Sequence, residues 1–432
     1  MNNVLNRRSF IEKTGVLLGG ASLAAMGPLA AVSCSRQPIP LKVPGDKIRL
    51  GVIGTGQRYV EQIVPALNYL PNFEVTACAD IIPLRLENGL KYAGPGAKGY
   101  KDYRHLLESK EVDAVVVCTP LKFHSQIAAD ALSAGKHVNC EKPMTYSIEE
   151  AIGLEKTAGA HKNLAFRVPY EYRKDPVHGT IRQMVRDGVL GKITHVDARW
   201  DSFNNWHREV IDPDFAELIN WRLYRKYCGG LMTEILSHQI DLVHYMLDLS
   251  HPTKVVSTGS IRYWRDERDT FDNVQAIYEY PEGLQATFSA NRASHYEGGV
   301  IKIYGEKATV ETHFGGIHTA TIAPNPRLEG SDDKVDAVTG ASIKILKDTD
   351  KKKVMVDDEV FRSYHGKLYG FNIGTMFGYA HFAEMIVNGA EPDVSVTDGK
   401  IAAISAHMAN LSNRNHTIEY WKEEYDGQVL NN

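Results

Sequence analysis

The chain has 432 residues, more than a single hydrophobic core usually supports, so its length predicts two domains. Its 43% hydrophobic and 24% charged residues are typical of a globular protein and exclude a disordered, collagen-like or coiled-coil chain. The formal net charge of −4 leaves no basic excess to hold a phosphate backbone, so we expect no nucleic-acid partner.

The first 34 residues have the features of an export signal. Arg7 and Arg8 precede a bulky apolar pair and then a Gly- and Ala-rich run, a pattern typical of a twin-arginine (Tat) signal. The alternatives are a chance Arg-Arg pair in an ordinary signal and a short membrane anchor. We therefore predict an exported protein, either periplasmic or tethered to a membrane as a lipoprotein in a bacterial envelope.

Cys34 ends this segment and is a candidate site of lipid attachment. Residues 31–34, Ala-Val-Ser-Cys, are similar to a lipobox, although leucine is usual where Ala31 stands. A lipid on Cys34 would tether the protein to a membrane surface without spanning it, and plain cleavage nearby is the alternative. Residues 35–46 contain three prolines and are predicted to form a linker.

Residues 47–80 predict the first unit of a dinucleotide-binding fold. A short apolar strand runs into Gly54 and Gly56, helical spacing follows, and then comes a second strand. Gly54 permits the tight turn. Gly56 lets backbone N–H groups approach a pyrophosphate at the start of the helix, where Gln57 and Arg58 lie.

Asp80 ends the second strand and bears on the choice of cofactor. It lies 24 residues after Gly56, and a carboxylate at that position binds both ribose hydroxyls and repels a 2′-phosphate. The predicted cofactor is therefore NAD, with NADP disfavoured, and a solvated strand-end acid is the alternative. Tyr59 stands where the dinucleotide-binding motif G-x-G-x-x-G has its third glycine. That glycine mainly allows the helix to pack closely on the strand, so its loss weakens the motif but not the phosphate site.

Strands and helices continue to alternate up to residue 170. Near-continuous apolar strands are predicted at residues 113–120, 137–143 and 164–170, with helices between them. Such repetition is typical of a parallel sheet that is covered on both faces. We therefore predict a Rossmann dinucleotide-binding domain over residues 47–170.

The second half of the chain has a different pattern. Strands with alternating apolar residues are predicted at residues 193–200, 255–263, 274–280, 285–290 and 300–304. This pattern favours a large, mainly antiparallel open sheet, and polar residues 315–363 are predicted to be an inserted hairpin or lid. The predicted fold class is therefore α/β, with an N-terminal Rossmann domain and a C-terminal α/β domain over residues 171–432.

Three short motifs occur in an order typical of one enzyme family. Thr-Pro stands at residues 119–120, Glu-Lys-Pro at 141–143, and Gly-Gly with an acid-x-x-x-His-x-x-Asp pattern at 229–241. In their order and spacing these motifs resemble the Gfo/Idh/MocA family, which includes glucose–fructose oxidoreductase and inositol dehydrogenase. The resemblance implies cofactor contacts from Thr119, Pro120, His124, Glu141 and Lys142.

The resemblance also implies a catalytic pair and an oligomer. In family enzymes the equivalents of Lys142 and His238 are catalytic. The acid four residues before the histidine is usually Asp, and here it is Glu234. One face of the second-domain sheet is commonly an oligomer interface in the family, so we expect a homo-oligomer.

A helix is predicted over residues 230–247, and the spacing of its polar residues supports the same chemistry. Glu234, His238 and Asp241 are spaced i, i+4 and i+7 and would share one helix face. One acid can orient the imidazole, whose other nitrogen then takes a proton from a substrate hydroxyl. Lys142, beside a nicotinamide and a buried acid, would have a lowered pKa and hydrogen-bond the reacting oxygen. A solvated Glu–His pair and a surface lysine are the alternatives.

Aromatic and polar residues ahead of that helix suit a sugar. Trp206, Trp221 and Arg222 combine flat apolar faces with hydrogen-bond donors, as a polyol ring requires, although core tryptophans are the alternative. Arg173, placed only by the family's substrate loop, and Asp241 are further candidates for substrate contact. No His/Cys cluster has zinc spacing, so no metal is predicted.

These features predict an NAD-dependent oxidoreductase acting on a hydroxyl of a sugar or glycoside. Because no free NAD pool is expected outside the inner membrane, the cofactor would have to stay tightly bound and be recycled internally. One alternative is an NAD-dependent glycosidase that works by transient oxidation and elimination. Another is a cofactor-bound sensor without turnover.

Overall fold

The computed structural model of the chain describes residues 47–314, 319–325, 352–353 and 373–427. The predicted export signal, Cys34, the linker and most of the predicted insertion lie outside the described residues. Within the described ranges, no helix combines the length and the apolar character needed to cross a bilayer.

The first domain is built on a six-stranded sheet. Its strands are β1 Ile48–Ile53, β2 Phe73–Ala79, β3 Lys98–Tyr100, β4 Ala114–Val117, β5 His137–Cys140 and β6 Phe166–Arg167. They lie in the order β3-β2-β1-β4-β5-β6, and all neighbours are parallel, which confirms the prediction. Strand β6 is shorter than predicted because Pro169 has no N–H group to continue the pairing.

Short helices follow the strands of this sheet. They are α1 Val64–Leu67, α2 Pro83–Leu90, α3 Tyr103–Leu107, α4 His124–Ser133 and α5 Ile148–Ala160. One π-helical turn, Tyr59–Ile63, precedes α1. Tyr59, which occupies the third glycine position of the motif, is completely buried in this turn.

The second domain contains a nine-stranded sheet. Its strands are β7 Ile193–Asp201, β8 Lys254–Ser260, β9 Asn273–Glu279, β10 Gln285–Asn291, β11 Gly299–Gly305, β12 Ala308–Phe314, β13 Thr319–Pro324, β14 Lys352–Lys353 and β15 Glu419–Tyr420. Their order is β14-β13-β12-β11-β7-β10-β9-β8-β15. Among the described pairs only β7 and β10 are parallel, so the predicted, mainly antiparallel sheet is confirmed.

Within the described residues, five α-helices accompany or follow this sheet. They are α6 Pro176–Arg186, α7 Ala216–Ile219, α8 Ser237–Leu247, α9 Ile373–Asn388 and α10 Val396–Asn415. A π-helical turn at Met232–Leu236 leads directly into α8.

Helix α9 returns to the first domain. Tyr379 and Phe382 on this helix are fully buried in the same core cluster as Leu50 and Val52 of β1. The Tyr379 ring meets the ring of Phe73 edge-on, with 5.9 Å between centroids. The first-domain core therefore includes residues beyond the boundary expected at residue 171.

We expect the protein to lose stability at acidic pH because of His407. It is buried in α10, its Nε2 donates to the backbone oxygen of Thr145 at 3.0 Å, and burial lowers its pKa to about 4. The unfolded chain takes up a proton near pH 6.5, whereas the folded chain does not. The free energy of unfolding should therefore fall by up to about 1.4 kcal/mol per pH unit from this residue as the pH drops toward 4.

Urea unfolding at several pH values between about 7 and 4.5 measures this contribution. His407→Gln should lose this part of the slope, whereas the exposed-site control His105→Gln should keep it. Equal slopes in wild type and His407→Gln would contradict the expectation.

Candidate active site

A cavity of about 960 Å³ lies between the carboxyl ends of the first sheet and the second domain. The first domain contributes the glycine turn and the loops after β2, β4 and β5, and the second contributes the end of β7 and the start of α8. Its volume is at the upper end of the usual range for small-molecule sites, about 300–1,000 Å³. The crevice at β1 and β4, where the strand order reverses, is where open α/β sheets bind ligands.

Gly54, Gly56 and Gln57 form one wall of the cavity. Gly54 has a φ of 95°, and a Cβ there would lie 2.7 Å from the backbone oxygen of Cys118, so only glycine fits. A Cβ on Gly56 would meet only the Arg85 side chain, at 3.7 Å. The first N–H groups of the helix have no partner within the helix and can bind phosphate oxygens.

Asp80 lies at the end of β2 and lines the same cavity. The backbone N–H and the hydroxyl of Thr55 donate to its Oδ2 at 2.9 and 3.2 Å, and the N–H of Ile82 donates to Oδ1 at 2.9 Å. These bonds fix the orientation of the carboxylate. Because an ionised carboxylate offers roughly four acceptor positions, capacity remains for ribose hydroxyls.

Thr119, Pro120 and His124 line the cavity beyond β4. The ring nitrogens of His124 lie 2.9 Å from the backbone oxygen of Pro143 and 2.8 Å from that of Thr119. His124 therefore joins the loops that follow β4 and β5. The hydroxyl oxygen of Thr119 is buried and has no hydrogen-bond partner among the described residues, so it is free to meet a ligand.

Arg58 connects the glycine turn to two buried carboxylates. Its Nε donates to Oε1 of Glu141 at 2.6 Å, and its Nη1 donates to Oε1 of Glu171 at 3.4 Å. All three side chains line the cavity. Arg58, predicted to contact the cofactor, thus also holds Glu141 beside Lys142.

Lys142 enters the cavity from the first domain. Its Nζ donates to the backbone oxygen of Glu234 at 2.8 Å. Burial lowers the pKa of Lys142, and the nearby carboxylates of Glu234 and Glu171 act in the opposite direction.

His238 faces the same cavity from α8 of the second domain. The centroid of its ring lies 5.0 Å from that of Tyr172 and 5.9 Å from those of Tyr170 and Trp200. Burial holds the pKa of His238 well below its usual value, and the charges of Lys142 and Arg58 lower it further. The imidazole is therefore neutral near neutral pH and can accept a proton.

The expectation that the Glu234 carboxylate orients His238 needs correction. Oε2 of Glu234 accepts from Nε of Arg222 at 3.3 Å, and Nδ1 of His238 has no hydrogen-bond partner among the described residues. The physical reason is the π-helical turn at Met232–Leu236, whose wider winding breaks the α-helical i, i+4 alignment.

Arg173 and Asp241, predicted to contact substrate, do not line the cavity. The guanidinium of Arg173 donates to both carboxylate oxygens of Asp241, at 2.9 and 2.6 Å, and to Asp398 at 3.3 Å. Burial raises the pKa of Asp241 to about 6, against the effect of Arg173. These residues connect α8 to the first turn of α10 and therefore have a structural role.

Trp206, Trp221 and Arg222 do line the cavity. Trp206 is buried with a φ of 64°, a backbone conformation rare for a bulky residue and frequent at binding sites. The guanidinium of Arg292 lies 4.8 Å from its ring, and that of Arg222 lies 4.1 Å from the ring of Trp221.

Glu171 and Arg85 are among the cavity residues that were not predicted from the sequence. Glu171 lies four residues after the end of β6, and an acid directly after the strand predicted at residues 164–170 was the available signal. Arg85 lies on α2, five residues after Asp80, and no motif marks it.

In the described part of the chain, one group of side chains brings metal-binding atoms within 4.8 Å of one another: His207, Asp266 and Glu267. All three are outside the cavity lining, and both oxygens of Asp266 accept from Arg268 at 2.6 Å. We assign this group no role in the site.

A parallel sheet with a glycine turn and an acidic strand end, facing a lysine and a neutral histidine, is an arrangement typical of nicotinamide-dependent oxidoreductases. Residues 48–169 match the profile "Oxidoreductase family, NAD-binding Rossmann fold", and residues 178–311 match "GFO/IDH/MocA C-terminal domain". Together these matches span more than half of the chain. The chain belongs to the GFO/IDH/MocA oxidoreductase family.

Curated relatives share part of the sequence. A levoglucosan dehydrogenase of Pseudarthrobacter phenanthrenivorans is 25% identical over 235 residues, which are 49% of this chain and 58% of the relative. Glycosyl hydrolase family 109 protein 2 of Shewanella sp. (strain ANA-3) is 30% identical over 247 residues, 52% of each chain. The matched region thus spans a little over half the length of these relatives.

Solved structures share the fold over nearly their whole length. An oxidoreductase domain protein from Kribbella flavida has a TM-score of 0.72 at 20% identity, covering 88% of this chain and all of that one. A levoglucosan dehydrogenase in complex with NADH and L-sorbose has a TM-score of 0.71 at 17% identity, covering 87% and 99%. At these identities the likeness establishes the fold.

The residues of the first domain fit NAD. A side chain at Gly54 would meet the backbone of Cys118, so glycine is needed for this tight turn, and the Thr119 hydroxyl has no protein partner among the described residues. The carboxylate of Asp80 is positioned at the strand end where ribose hydroxyls bind. The family assignment of this domain as NAD-binding agrees with these features.

Substitutions at the two glycines should separate folding from cofactor binding. Gly54→Ala places a methyl group against the Cys118 backbone in a left-handed conformation, so we expect a loss of about 1–3 kcal/mol and of the cofactor. Gly56→Ala meets only a flexible side chain, so the fold should persist while NAD binds more weakly. Thermal unfolding with and without NAD measures both effects. A Gly54→Ala protein with wild-type stability and cofactor content would contradict this assignment.

Proposed function

We propose that the protein transfers hydride between a hydroxyl of a sugar or glycoside and a tightly bound NAD that is recycled within the site. The supporting observation is that Lys142 and His238 come from different domains but line one cavity with the glycine turn and Asp80. Bound NAD would supply the hydride acceptor, while the chain supplies proton transfer, orientation and shielding from water.

His238 is the proton acceptor in this proposal. Its low pKa keeps the imidazole neutral, so the ring can take the proton that leaves a sugar hydroxyl. Because Nδ1 has no hydrogen bond to a described residue, the rings of Tyr172 and Trp200 set the orientation of the imidazole.

Lys142 polarises the reacting oxygen. Its ammonium group donates one hydrogen to the backbone of Glu234, which leaves two N–H groups for the substrate. A buried cation next to the hydroxyl stabilises the negative charge that develops on oxygen as the proton leaves.

A sugar suits the remaining walls of the cavity. Trp200, Trp206 and Trp221 offer apolar faces, and Arg222 and Glu234 offer hydrogen-bonding groups. A relative named levoglucosan dehydrogenase, and a solved structure of similar fold in complex with NADH and L-sorbose, support the same substrate class.

Tight cofactor retention is supported by a loop of the second domain. Trp206, Arg208 and Ile211, from the segment between β7 and α8, line the same cavity as Val60 and Glu61 of the first helical turn. A second-domain loop that covers the cofactor site of the first domain slows cofactor release and excludes water.

A redox-neutral glycosidase is the second candidate, because several relatives carry the name glycosyl hydrolase family 109 protein. Oxidation of one ring carbon by bound NAD would acidify the neighbouring C–H and allow elimination of the aglycone. Water would then add across the resulting double bond, and the hydride would return to the ketone, so no net oxidation would occur. Release of nitrophenol from nitrophenyl glycosides without added NAD, with no keto-sugar product, would favour this activity.

Export and self-association remain proposals. Arg7, Arg8 and Cys34 support a Tat-type route with a lipid anchor. Val256 of β8 and Ile277 of β9 pair directly across the second sheet and are 46% and 49% exposed, which supports burial of this face in a homo-oligomer.

The role of His238 can be tested by substitution. His238→Ala should lower turnover by about 10²–10⁴-fold with the cofactor still bound, because the general base is lost and the glycine turn is untouched. Levoglucosan, D-glucose and methyl glucoside serve as probes, and the readout is the rate at which the bound nicotinamide is reduced in a single turnover, followed by its absorbance. His105→Ala, on the surface of α3, is the control. Unchanged turnover in His238→Ala would remove this residue from the mechanism.

Cofactor retention can be tested on the purified protein. A cofactor that stays bound while the protein is exported and diluted must have a dissociation constant in the nanomolar range. This constant corresponds to a binding free energy of about −12 kcal/mol. We expect close to one nucleotide per chain after gel filtration, and steady turnover with two sugars and no added NAD. A protein that purifies empty and consumes free NAD stoichiometrically would overturn internal recycling.

A further inference from the structure

Glu171 lies in the cavity wall, and the roles above do not use its second carboxylate oxygen. The residue begins the short turn Glu171–Lys174 after β6, is only 5% exposed, and lines the cavity with Lys142 and His238. Its Oε1 accepts from Arg58 at 3.4 Å. Its Oε2 is buried and has no hydrogen bond to any described residue.

A buried carboxylate oxygen without a donor is unfavourable, because the charged group has lost its water and gained nothing in return. Oε1 of Glu234, in the same cavity wall, is also without a donor among the described residues. Two such acceptor atoms around one cavity match a ligand that carries several hydroxyl donors.

We propose that Oε2 of Glu171 accepts a hydrogen bond from a hydroxyl of the bound sugar, and that Glu171 therefore selects sugars that carry this hydroxyl. This inference rests on the proposed function. The nicotinamide carboxamide, through its N–H groups, is the other possible source of a hydrogen-bond donor to this oxygen.

The position of the turn favours the sugar as the donor. Tyr172, the next residue, packs its ring against Trp200 at 5.9 Å and against His238 at 5.0 Å between centroids. The turn thus belongs to the wall around the imidazole, where the reacting carbon has to lie. The charge of Glu171 also acts on Lys142, which places the carboxylate near the group that holds the reacting oxygen.

Glu171→Gln tests the assignment with little change in shape. We expect the KM for the oxidised probe sugar (levoglucosan, D-glucose or methyl glucoside) to rise by about 10–100-fold, with kcat changed by less than about threefold. The nucleotide content should stay at the wild-type value. Glu279→Gln, in β9, where Glu279 pairs with Lys254, is the matched control and should keep the wild-type KM.

Monodeoxy analogues of the same sugar provide the second measurement. The wild type should discriminate by about 10–100-fold in kcat/KM against the analogue that lacks the bound hydroxyl, and Glu171→Gln should lose that discrimination alone. Glu171→Met, which is uncharged and of similar length, repeats the comparison if the first variant folds poorly.

The outcomes separate the two donors. Loss of nucleotide from Glu171→Gln with an unchanged sugar KM would assign Oε2 to the carboxamide and overturn the proposal. A wild-type KM and unchanged discrimination would overturn it while leaving the proposed function intact. A wild-type protein that oxidises none of the probe sugars would overturn the proposed function, and this inference with it.

Discussion

The hydrogen bond from Nζ of Lys142 to the backbone oxygen of Glu234 joins the two domains where the chemistry would occur. Lys142 follows β5 of the first sheet, and Glu234 lies in the turn that leads into α8. Because a helical carbonyl moves only with its helix, this bond sets the distance between the lysine and His238. The carbonyl adds no full negative charge beside the ammonium, and burial lowers the pKa of Lys142 despite the carboxylates of Glu234 and Glu171 nearby.

The charges around this bond depend on one another. Arg58 is held by Glu141 and Glu171, so its positive charge stays beside the cavity without capturing a substrate oxygen. Burial keeps His238 unprotonated, and the charges of Lys142 and Arg58 lower its pKa further. The carboxylates of Glu141 and Glu171 hold Arg58 in its place beside the cavity. Removing the carboxylate of Glu141, which accepts the shorter of the two bonds from Arg58, would leave a buried cation without its main partner, a change that usually costs several kcal/mol.

Local patterns predicted the parts of the site that a single strand or turn positions. Gly54 and Asp80 end apolar strands, and parallel-sheet geometry brings those ends to one edge. Lys142 and His238 required the motif order of the family, because nothing local shows that distant segments meet. The π-helical turn that rotates Glu234 away from His238, and the pairing of Arg173 with Asp241, depend on tertiary packing. Helical spacing assumes a regular α-helix, so it could not reveal either feature.

Helix α9 belongs to the core of the first domain but is synthesised long after the strands of that domain. It completes one face of the first sheet, although more than 200 residues separate it from β6. A ribosome would release the strands of the nucleotide-binding domain long before the helix that covers them. Until then, the apolar side chains of β1 and β2 in this cluster lack the cover of α9 and pack against α1, its preceding turn and two leucines of α2. A nascent chain paused within the second sheet would therefore be a substrate for chaperones, whatever the supply of nucleotide.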